Sequence, residues 1–224
     1  MKKSISLIFF ISCCAFGQTK DSKFVLFANV GQSFRLGETP DGLSAANEEY
    51  FKELKSGLSF DFSAYYVKNE SGYGLKYNVY RSKNERINPI DFDPIVSAST
   101  SFSDDITITY IGPTFMYTEE QNAKLGEAFF EVSFGYMSYL NNASSSFERF
   151  KIKGGNFGMI AGGGYHFRVY KQFLIGPQVS FVGGTLKRLK VTDSSGASET
   201  IELDKDNYEN LWRIDLSVSA KFRF

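Results

Sequence analysis

The chain contains one histidine, His166, in the segment Gly164-Tyr165-His166-Phe167-Arg168. A histidine that takes the proton of a serine hydroxyl can support nucleophilic catalysis, for example on a lipid ester. No serine follows His166 at a short spacing on the same face, and Arg168 occupies the i+2 position. An interior or rim histidine is therefore the favoured interpretation, and no catalytic residue is predicted.

Acidic residues near the end of the chain are the second group that could do chemistry. Carboxylate oxygens are the ligands that calcium prefers, so these side chains could hold that ion. The segment Asp204-Lys205-Asp206-Asn207 does not have EF-hand spacing and lacks its glycine. A solvated loop is favoured over a calcium site, and no metal site is predicted. The acids are Asp193, Glu199, Glu202, Asp204 and Asp206.

Two further patterns are chemically incomplete. Gly154-Gly155 and Gly162-Gly163-Gly164 are not phosphate-binding loops, because no Gly-Lys-Ser/Thr follows them. Glycines in strands more often ease curvature or make room for aromatic neighbours. Both cysteines, Cys13 and Cys14, precede the predicted mature start, which excludes a thiolate site in the mature chain. No cofactor is expected.

The elements that position these residues are predicted to be strands, and the last is the clearest. Apolar residues occupy alternate positions: Trp212, Ile214, Leu216, Val218, Ala220, Phe222 and Phe224. Polar residues lie between them: Arg213, Asp215, Ser217, Ser219, Lys221 and Arg223. Globular strands average about 5–6 residues, whereas a tilted strand that crosses a bilayer needs about 9–11. The apolar face is therefore predicted to meet lipid and the polar face to line a lumen.

Seven earlier segments show the same period of two. The predicted strands are 23–36, 58–66, 73–80, 106–117, 128–136, 157–167 and 173–185. In the fourth, Ile106, Ile108 and Tyr110 are grouped as the apolar face, against Thr107 and Thr109.

The predicted connections alternate in length. Long ones cover 37–57, 82–104, 141–155 and 187–208, and short ones cover 69–72, 118–126 and 168–172. Long loops at one end and short turns at the other are typical of outer-membrane barrels. The predicted fold is an all-β, eight-stranded, antiparallel up-and-down transmembrane β-barrel with long extracellular loops and short periplasmic turns.

Two local features complete the predicted fold. Ile111-Gly112-Pro113 and Ile175-Gly176-Pro177 place a proline inside a strand, and we interpret each as a bulge at the barrel rim. The alternative is that a strand ends there. Residues 44–57 carry a capping serine, early acids, late lysines and a terminal glycine, which predict a short helix over the mouth or against the rim.

Charged residues fall on the predicted inner face of several strands. An eight-stranded barrel leaves an interior just wide enough for side chains. Charges of both signs in that space should pair and plug it, because an unpaired buried charge is costly. Arg213 is expected to pair with an inward acid, and Lys76 with Glu131 or a neighbour. The predicted lumen charges are Asp61, Lys76, Glu131, Arg213, Asp215 and Lys221.

The first residues predict a secretory signal peptide over 1–17. Lys2 and Lys3 precede an apolar run, and small residues reach Gly17, so the mature barrel domain is predicted to be 18–224. Acylation at Cys13 or Cys14 is the less favoured alternative. The formal net charge is zero and becomes −2 without the two lysines, with 23 basic residues against 25 acidic. That balance gives no electrostatic footprint for nucleic acid.

The leader, the alternating strands, the segregated connections and the terminal Phe224 together resemble the outer-membrane β-barrel domain proteins of Bacteroidota. These are similar to small OmpA-, OmpX- and OmpW-type barrels and to PorT-like proteins. The resemblance covers the mature chain and is architectural. It implies that the end of the last strand is the signal read by the barrel-assembly machinery, through Leu216, Val218, Ala220, Phe222 and Phe224.

Three functions follow from this sequence. The first is a small outer-membrane barrel with a structural, surface-interaction or accessory role, a plugged lumen and no enzymatic activity. The second is transport of a small or hydrophobic solute through a lateral opening. The third is an enzyme that modifies lipid. The expected partners are outer-membrane lipid, the assembly machinery and an unidentified surface or outer-membrane protein.

Overall fold

The computed structural model describes residues 22–37, 45–91, 97–122, 125–146, 148–204 and 208–224. The predicted signal peptide, with Cys13 and Cys14, lies outside the described residues, as do Ser44 and Asp206. One helix, α1 (Ala45–Leu54), appears in the described part of the chain. No helix among those residues is long and apolar enough to cross a membrane.

Eleven strands occur within the described ranges. They are β1 (Ser22–Arg35), β2 (Ser56–Lys68), β3 (Ser71–Asp91), β4 (Ser97–Asn122), β5 (Gly126–Ser145), β6 (Arg149–Arg168), β7 (Phe173–Leu186), β8 (Arg188–Thr192), β9 (Ser198–Glu202), β10 (Glu209–Asn210) and β11 (Arg213–Arg223). Consecutive strands from β1 to β7 pair antiparallel, and β11 pairs with both β7 and β1. Eight strands therefore form a closed barrel, which confirms the predicted fold class. The strands β8, β9 and β10 belong to the last connection.

The closing strand β11 has the two faces that its sequence predicts. Leu216 and Val218 are 48 % and 53 % exposed on the outside, whereas Ser219 is fully buried inside. Its ladder with β1 runs without a shift from Val25 opposite Arg223 to Arg35 opposite Arg213. Because side chains alternate along a strand, this fixed register assigns every residue of β11 to one face.

Two of the predicted long loops are strand for most of their length. β3 and β4 stay paired as far as Asp91 opposite Ser97, so most of 82–104 is a two-stranded ribbon. β5 and β6 likewise remain paired to Ser144 opposite Arg149, which makes most of 141–155 a second ribbon. Along most of these segments polar residues on both faces hide the period of two, whereas residues 149–153 still alternate, and the backbone hydrogen bonds continue throughout. The two ribbons and β8–β9 form a wall that projects beyond the barrel on one side.

The predicted rim bulges at the two prolines are wrong. Pro113 lies opposite Leu75 and Pro177 opposite Val218, both in unbroken register with one neighbouring strand. On the other side of Pro113 the β4–β5 register is the same at Ile111 as at Thr114. Proline removes one ladder donor without forcing an extra residue into the strand.

The apolar face assigned to the start of the fourth strand points inward, not outward. Ile106, Ile108 and Tyr110 are 4 %, 0 % and 0 % exposed. They pack in one cluster with Tyr50 and Leu54 of α1. The helix predicted within residues 44–57 is therefore confirmed as α1, and its apolar side chains cover the inner face of the barrel mouth.

Candidate functional site

The inner face of the barrel carries charged side chains in three clusters, and the cluster nearest the mouth is centred on Arg213. Its guanidinium Nε donates to Asp215 Oδ1 at 3.1 Å, and Nη2 donates to Asn78 Oδ1 at 2.5 Å. Ser33 on β1 donates to the same Asp215 oxygen. The guanidinium carbon lies 5.3 Å from the centroid of the Tyr80 ring. We call these residues the upper cluster, in which strands β1, β3 and β11 are joined across the lumen.

A single ammonium group holds two carboxylates in the central cluster. Lys76 Nζ lies 2.8 Å from Asp61 Oδ2 and 2.7 Å from Glu131 Oε1. It also donates to Ser63 Oγ at 3.1 Å. The side chains of Lys76, Asp61 and Glu131 are 0 %, 9 % and 1 % exposed. The ammonium therefore joins β2 to β5 through the middle of the barrel.

Neutral side chains also donate hydrogen bonds to the oxygens of the two central carboxylates. Tyr65 Oη donates to Glu131 Oε2 at 2.5 Å, and Gln178 Nε2 donates to Glu131 Oε1 at 2.8 Å. Asn29 Nδ2 donates to Asp61 Oδ1 at 3.0 Å. Buried charges are tolerated when they are both paired and hydrogen-bonded, and both conditions are met here.

The lower cluster, at the end with short turns, contains a carboxylate that the sequence analysis missed. Glu127 is fully buried and pairs with both Lys221 and Arg223 of β11. Lys221 Nζ also lies 5.2 Å from the centroid of the Phe27 ring. The predicted fifth strand began two residues too late, at 128 instead of Gly126, and so left Glu127 out. The available signal was the spacing of Glu127 from Glu131, since four positions place both on one face of a strand.

The three clusters balance in charge. The upper cluster has one cation and one carboxylate, the central cluster one cation and two carboxylates, and the lower cluster two cations and one carboxylate. Within these three clusters, four positive groups thus face four negative groups. All six of the predicted lumen charges belong to these clusters, and Glu127 and Arg223 join them.

The structure brings a serine to the histidine, although none follows it closely in sequence. His166 Nε2 lies 2.8 Å from Ser219 Oγ of β11. Both residues are fully buried, and Phe129 stacks on the imidazole with ring centroids 4.4 Å apart. His166 Nδ1 has no hydrogen-bond partner in the described part of the chain, so no acid orients the ring. The pair therefore lacks both the third member of a catalytic triad and access for a substrate.

The described acids of the last connection, which exclude Asp206, do not converge. Asp193 Oδ1 accepts hydrogen bonds from the Ser195 hydroxyl at 2.6 Å, the Ser195 amide at 2.9 Å and the Ala197 amide at 3.0 Å. These hydrogen bonds lower the pKa of the Asp193 carboxyl, and the bond from the Ser195 hydroxyl has the largest effect. Within the described ranges no group of three or more potential metal ligands lies close together. Asp193 thus stabilises the turn between β8 and β9.

The outside of the barrel has an apolar belt that aromatic residues border. On β6, Phe157 is 81 % exposed and Phe167 is 54 % exposed, ten positions further along. Trp212, directly before β11, and Phe222 of β11 have the same separation and are also exposed. Ten positions span about 34 Å of strand, which is about 26 Å along the barrel axis at a tilt of about 40°. That height matches the roughly 25 Å apolar band of outer-membrane barrels.

The residues predicted to form the assembly signal lie on this outer surface. Leu216, Val218, Phe222 and Phe224 are exposed, and Ala220 is half-buried among them. The backbone amide of Phe224 donates to Phe24 O at 2.9 Å, which ties the chain end to β1. Their recognition by the assembly machinery stays a prediction.

No family model matches the sequence, and no curated protein matches it. Among solved structures, a major outer membrane protein from Thermus thermophilus is similar, with 12 % identity, 91 % of this chain and 99 % of that chain covered, and a TM-score of 0.57. Neisserial surface protein A gives 13 % identity, 90 % and 97 % coverage and a TM-score of 0.49. The outer membrane protease OmpT from Escherichia coli gives 11 % identity, 91 % and 96 % coverage and a TM-score of 0.45. Identities this low concern the fold alone, and the chain has the fold of a small outer-membrane β-barrel.

Proposed function

We propose that this protein is a small integral outer-membrane barrel whose lumen is closed by side chains, and which acts as a structural or surface-presenting element. The observation that carries the proposal is the inverted distribution of polarity. Four cations and four carboxylates lie paired inside the barrel, whereas exposed aromatic and aliphatic residues cover its outside. A barrel in water would be expected to place these two sets the other way round.

The belt height supports insertion into a membrane. Two strands place aromatic residues at both edges of a zone about 26 Å high. In the same zone, Phe134 and Phe181 are 62 % and 53 % exposed. Exposed apolar surface on this scale is costly in water and favourable in lipid.

Two successive obstructions support a closed lumen. At the mouth, α1 packs Tyr50 and Leu54 against the inward residues of β3 and β4. Below it, Lys76 of β3 connects Asp61 of β2 with Glu131 of β5 through the barrel interior. An aqueous pore would require both layers to separate, which would leave buried charges unpaired.

Non-enzymatic action is the second part of the proposal. His166 and Ser219 could act together only if a substrate reached them, and both are fully buried. The aromatic rings of Phe27 and Phe129 pack against the imidazole from two directions. A packing and hydrogen-bonding role for His166 fits these contacts.

The proposed partners are outer-membrane lipid around the belt, the assembly machinery at the end of β11, and a protein that contacts the projecting wall. A Bacteroidota origin stays a prediction.

Cysteine accessibility tests the closed lumen, because the predicted mature chain contains no cysteine. Ser180→Cys places a thiol at a lumen position that is 5 % exposed, and Ser194→Cys places the same thiol in the exposed β8–β9 turn. In vesicles, a water-soluble maleimide should modify the residue at position 194 rapidly and the one at position 180 only after unfolding. Equal rates at the two positions would contradict a closed lumen and favour transport.

A further inference from the structure

The outer surface of the projecting wall carries an excess of positive charge on one side. Residues on β6 and β8 alternate along their strands, so their long cationic side chains share the outward face. All five cations are exposed, and none forms an ion pair within the described residues. We call this surface the wall patch, and it consists of Arg149, Lys151, Lys153, Arg188 and Lys190.

Strand register brings like charges together in this patch. Lys153 of β6 lies directly opposite Lys190 of β8. On its other side, Lys153 faces Leu140 of β5, and Lys151 faces Asn142. Like charges at directly opposed positions repel, so this arrangement favours an anion from outside the chain.

Few carboxylates offset the patch. Glu202 lies opposite Arg188, Glu148 precedes Arg149 at the turn, and Asp193 lines the groove beside Arg149 and Lys151. Five cations against these three acids leave an excess of two positive charges.

The neighbouring part of the wall is different. On β3 and β4, Arg81 and Lys83 share the outward face with Glu85 and Asp105, and Lys83 lies directly opposite Asp105. Charges of both signs are balanced there. The overall neutrality of the chain therefore hides a local separation of charge, and β3–β4 serves as an internal control.

The wall patch lies just beyond the outer edge of the apolar belt. Lys153 is four positions before Phe157, which is about 14 Å along the strand and about 10 Å along the barrel axis. Lysine stems can bend to place their ammonium groups at a headgroup layer. An open groove of about 560 Å³ adjoins Arg149 and Lys151 and gives room beside the strands.

We propose that the wall patch binds phosphate-bearing headgroups of the lipids in the outer leaflet that surrounds the barrel. The excess of positive charge is complementary to phosphate. The patch is also continuous with the apolar belt, which identifies a membrane lipid as the carrier of that phosphate, because the acyl chains of the same lipid would lie against Phe157. This inference rests on the proposed membrane insertion. It adds a preferred lipid class and the residues that select it.

The test uses the mature protein in nanodiscs of phosphatidylcholine alone, or with diphosphoryl or monophosphoryl lipid A. Lys153→Gln with Lys190→Gln removes two patch charges, and Arg81→Gln with Lys83→Gln removes two charges from the β3–β4 sector. Native mass spectrometry measures retained lipid. The unmodified protein and the β3–β4 variant should retain diphosphoryl lipid A in preference to monophosphoryl lipid A. The patch variant should lose roughly tenfold or more in apparent affinity, and Lys153→Arg with Lys190→Arg should keep it.

Several outcomes would overturn the inference. Equal lipid retention by the patch variant and the β3–β4 variant would show that the patch does not select lipid. Inorganic phosphate that competes fully with diphosphoryl lipid A at equal concentration would indicate a simple ion site. If the protein inserts and shows no preference for phosphate, only this inference fails. If it does not enter nanodiscs at all, the proposed function fails with it.

Discussion

Replacing Lys76 with methionine removes the cation that joins the central cluster and keeps a side chain of similar length. Glu131 Oε1 and Asp61 Oδ2 lie 2.7 Å and 2.8 Å from Lys76 Nζ, so the two carboxylate oxygens can be no more than about 5.5 Å apart. At an effective dielectric constant of about 20, two like charges at that distance repel by about 3 kcal/mol. Removal of one partner from a buried ion pair costs about 3–5 kcal/mol. We expect Lys76→Met to lower the free energy of unfolding by that amount.

Equilibrium urea unfolding in phosphatidylcholine vesicles measures this change through the fluorescence of Trp212, the one tryptophan of the chain. The matched control is Lys52→Met on α1, where the ammonium lies 2.8 Å from Glu48 Oε1 but both side chains are exposed. Exposed pairs contribute little because water and salt screen them. The control should therefore unfold almost as the unmodified protein does.

A compensated variant separates the unpaired charges from the loss of packing. Lys76→Met combined with Asp61→Asn and Glu131→Gln removes all three charges and should recover most of the lost stability. If Lys76→Met costs no more than Lys52→Met, the central cluster is not the buried, tightly paired group described above. If the triple variant is as unstable as the single one, the loss comes from packing and not from charge.

Three other perturbations test separate parts of the structure. Leu216→Arg should destabilise the inserted barrel by about 2–4 kcal/mol if the side chain lies near the midplane of the bilayer; a urea midpoint equal to that of the unmodified protein would contradict the outward assignment of Leu216. Deletion of Phe224 should sharply reduce the heat-modifiable form in outer-membrane fractions, because it removes the last outward aromatic residue and its backbone bond to β1; normal levels would count against the assembly role. Asp193→Asn should increase hydrogen exchange at the Ala197 amide at neutral pH. The pKa of Asp193 is lowered in the folded state, so the stabilisation of the turn by its carboxylate is present above the unfolded pKa and is lost as pH falls through the folded pKa. Protection of the Ala197 amide that does not change over that pH range would refute this prediction.

The period of two predicted the outward and inward residues correctly where one face of a strand is apolar and the other lines the polar lumen. Leu216 meets the outside and Asp215 the lumen, and one step along the strand changes the environment completely. The same reasoning was wrong for Ile108, since apolar residues are also required inside the barrel where α1 covers the mouth. A pattern reports the polarity of a face, not whether lipid or another element lies against it.

The pairing of Lys76 with Glu131 was among the contacts predicted, but most contacts between distant strands could not be predicted from the sequence. Glu127 and Lys221 are 94 positions apart, and Ser219 is 53 positions from His166. Their meeting depends on the strand register and on barrel closure, which the period of two does not specify. The projecting ribbons were missed for a different reason. Both of their faces are polar along most of their length, and the alternation that remains over 149–153 is shorter than a membrane-crossing strand requires.

Single-channel recording of the unmodified protein in planar bilayers tests the closed lumen most directly. The preparation should first be shown to be folded by its heat-modifiable migration. The paired charges in the lumen and the packing of α1 over the barrel mouth predict little or no steady conductance over long recordings. Large, stable and reproducible channels from the same preparation would contradict the closed lumen and support transport of a solute through the barrel.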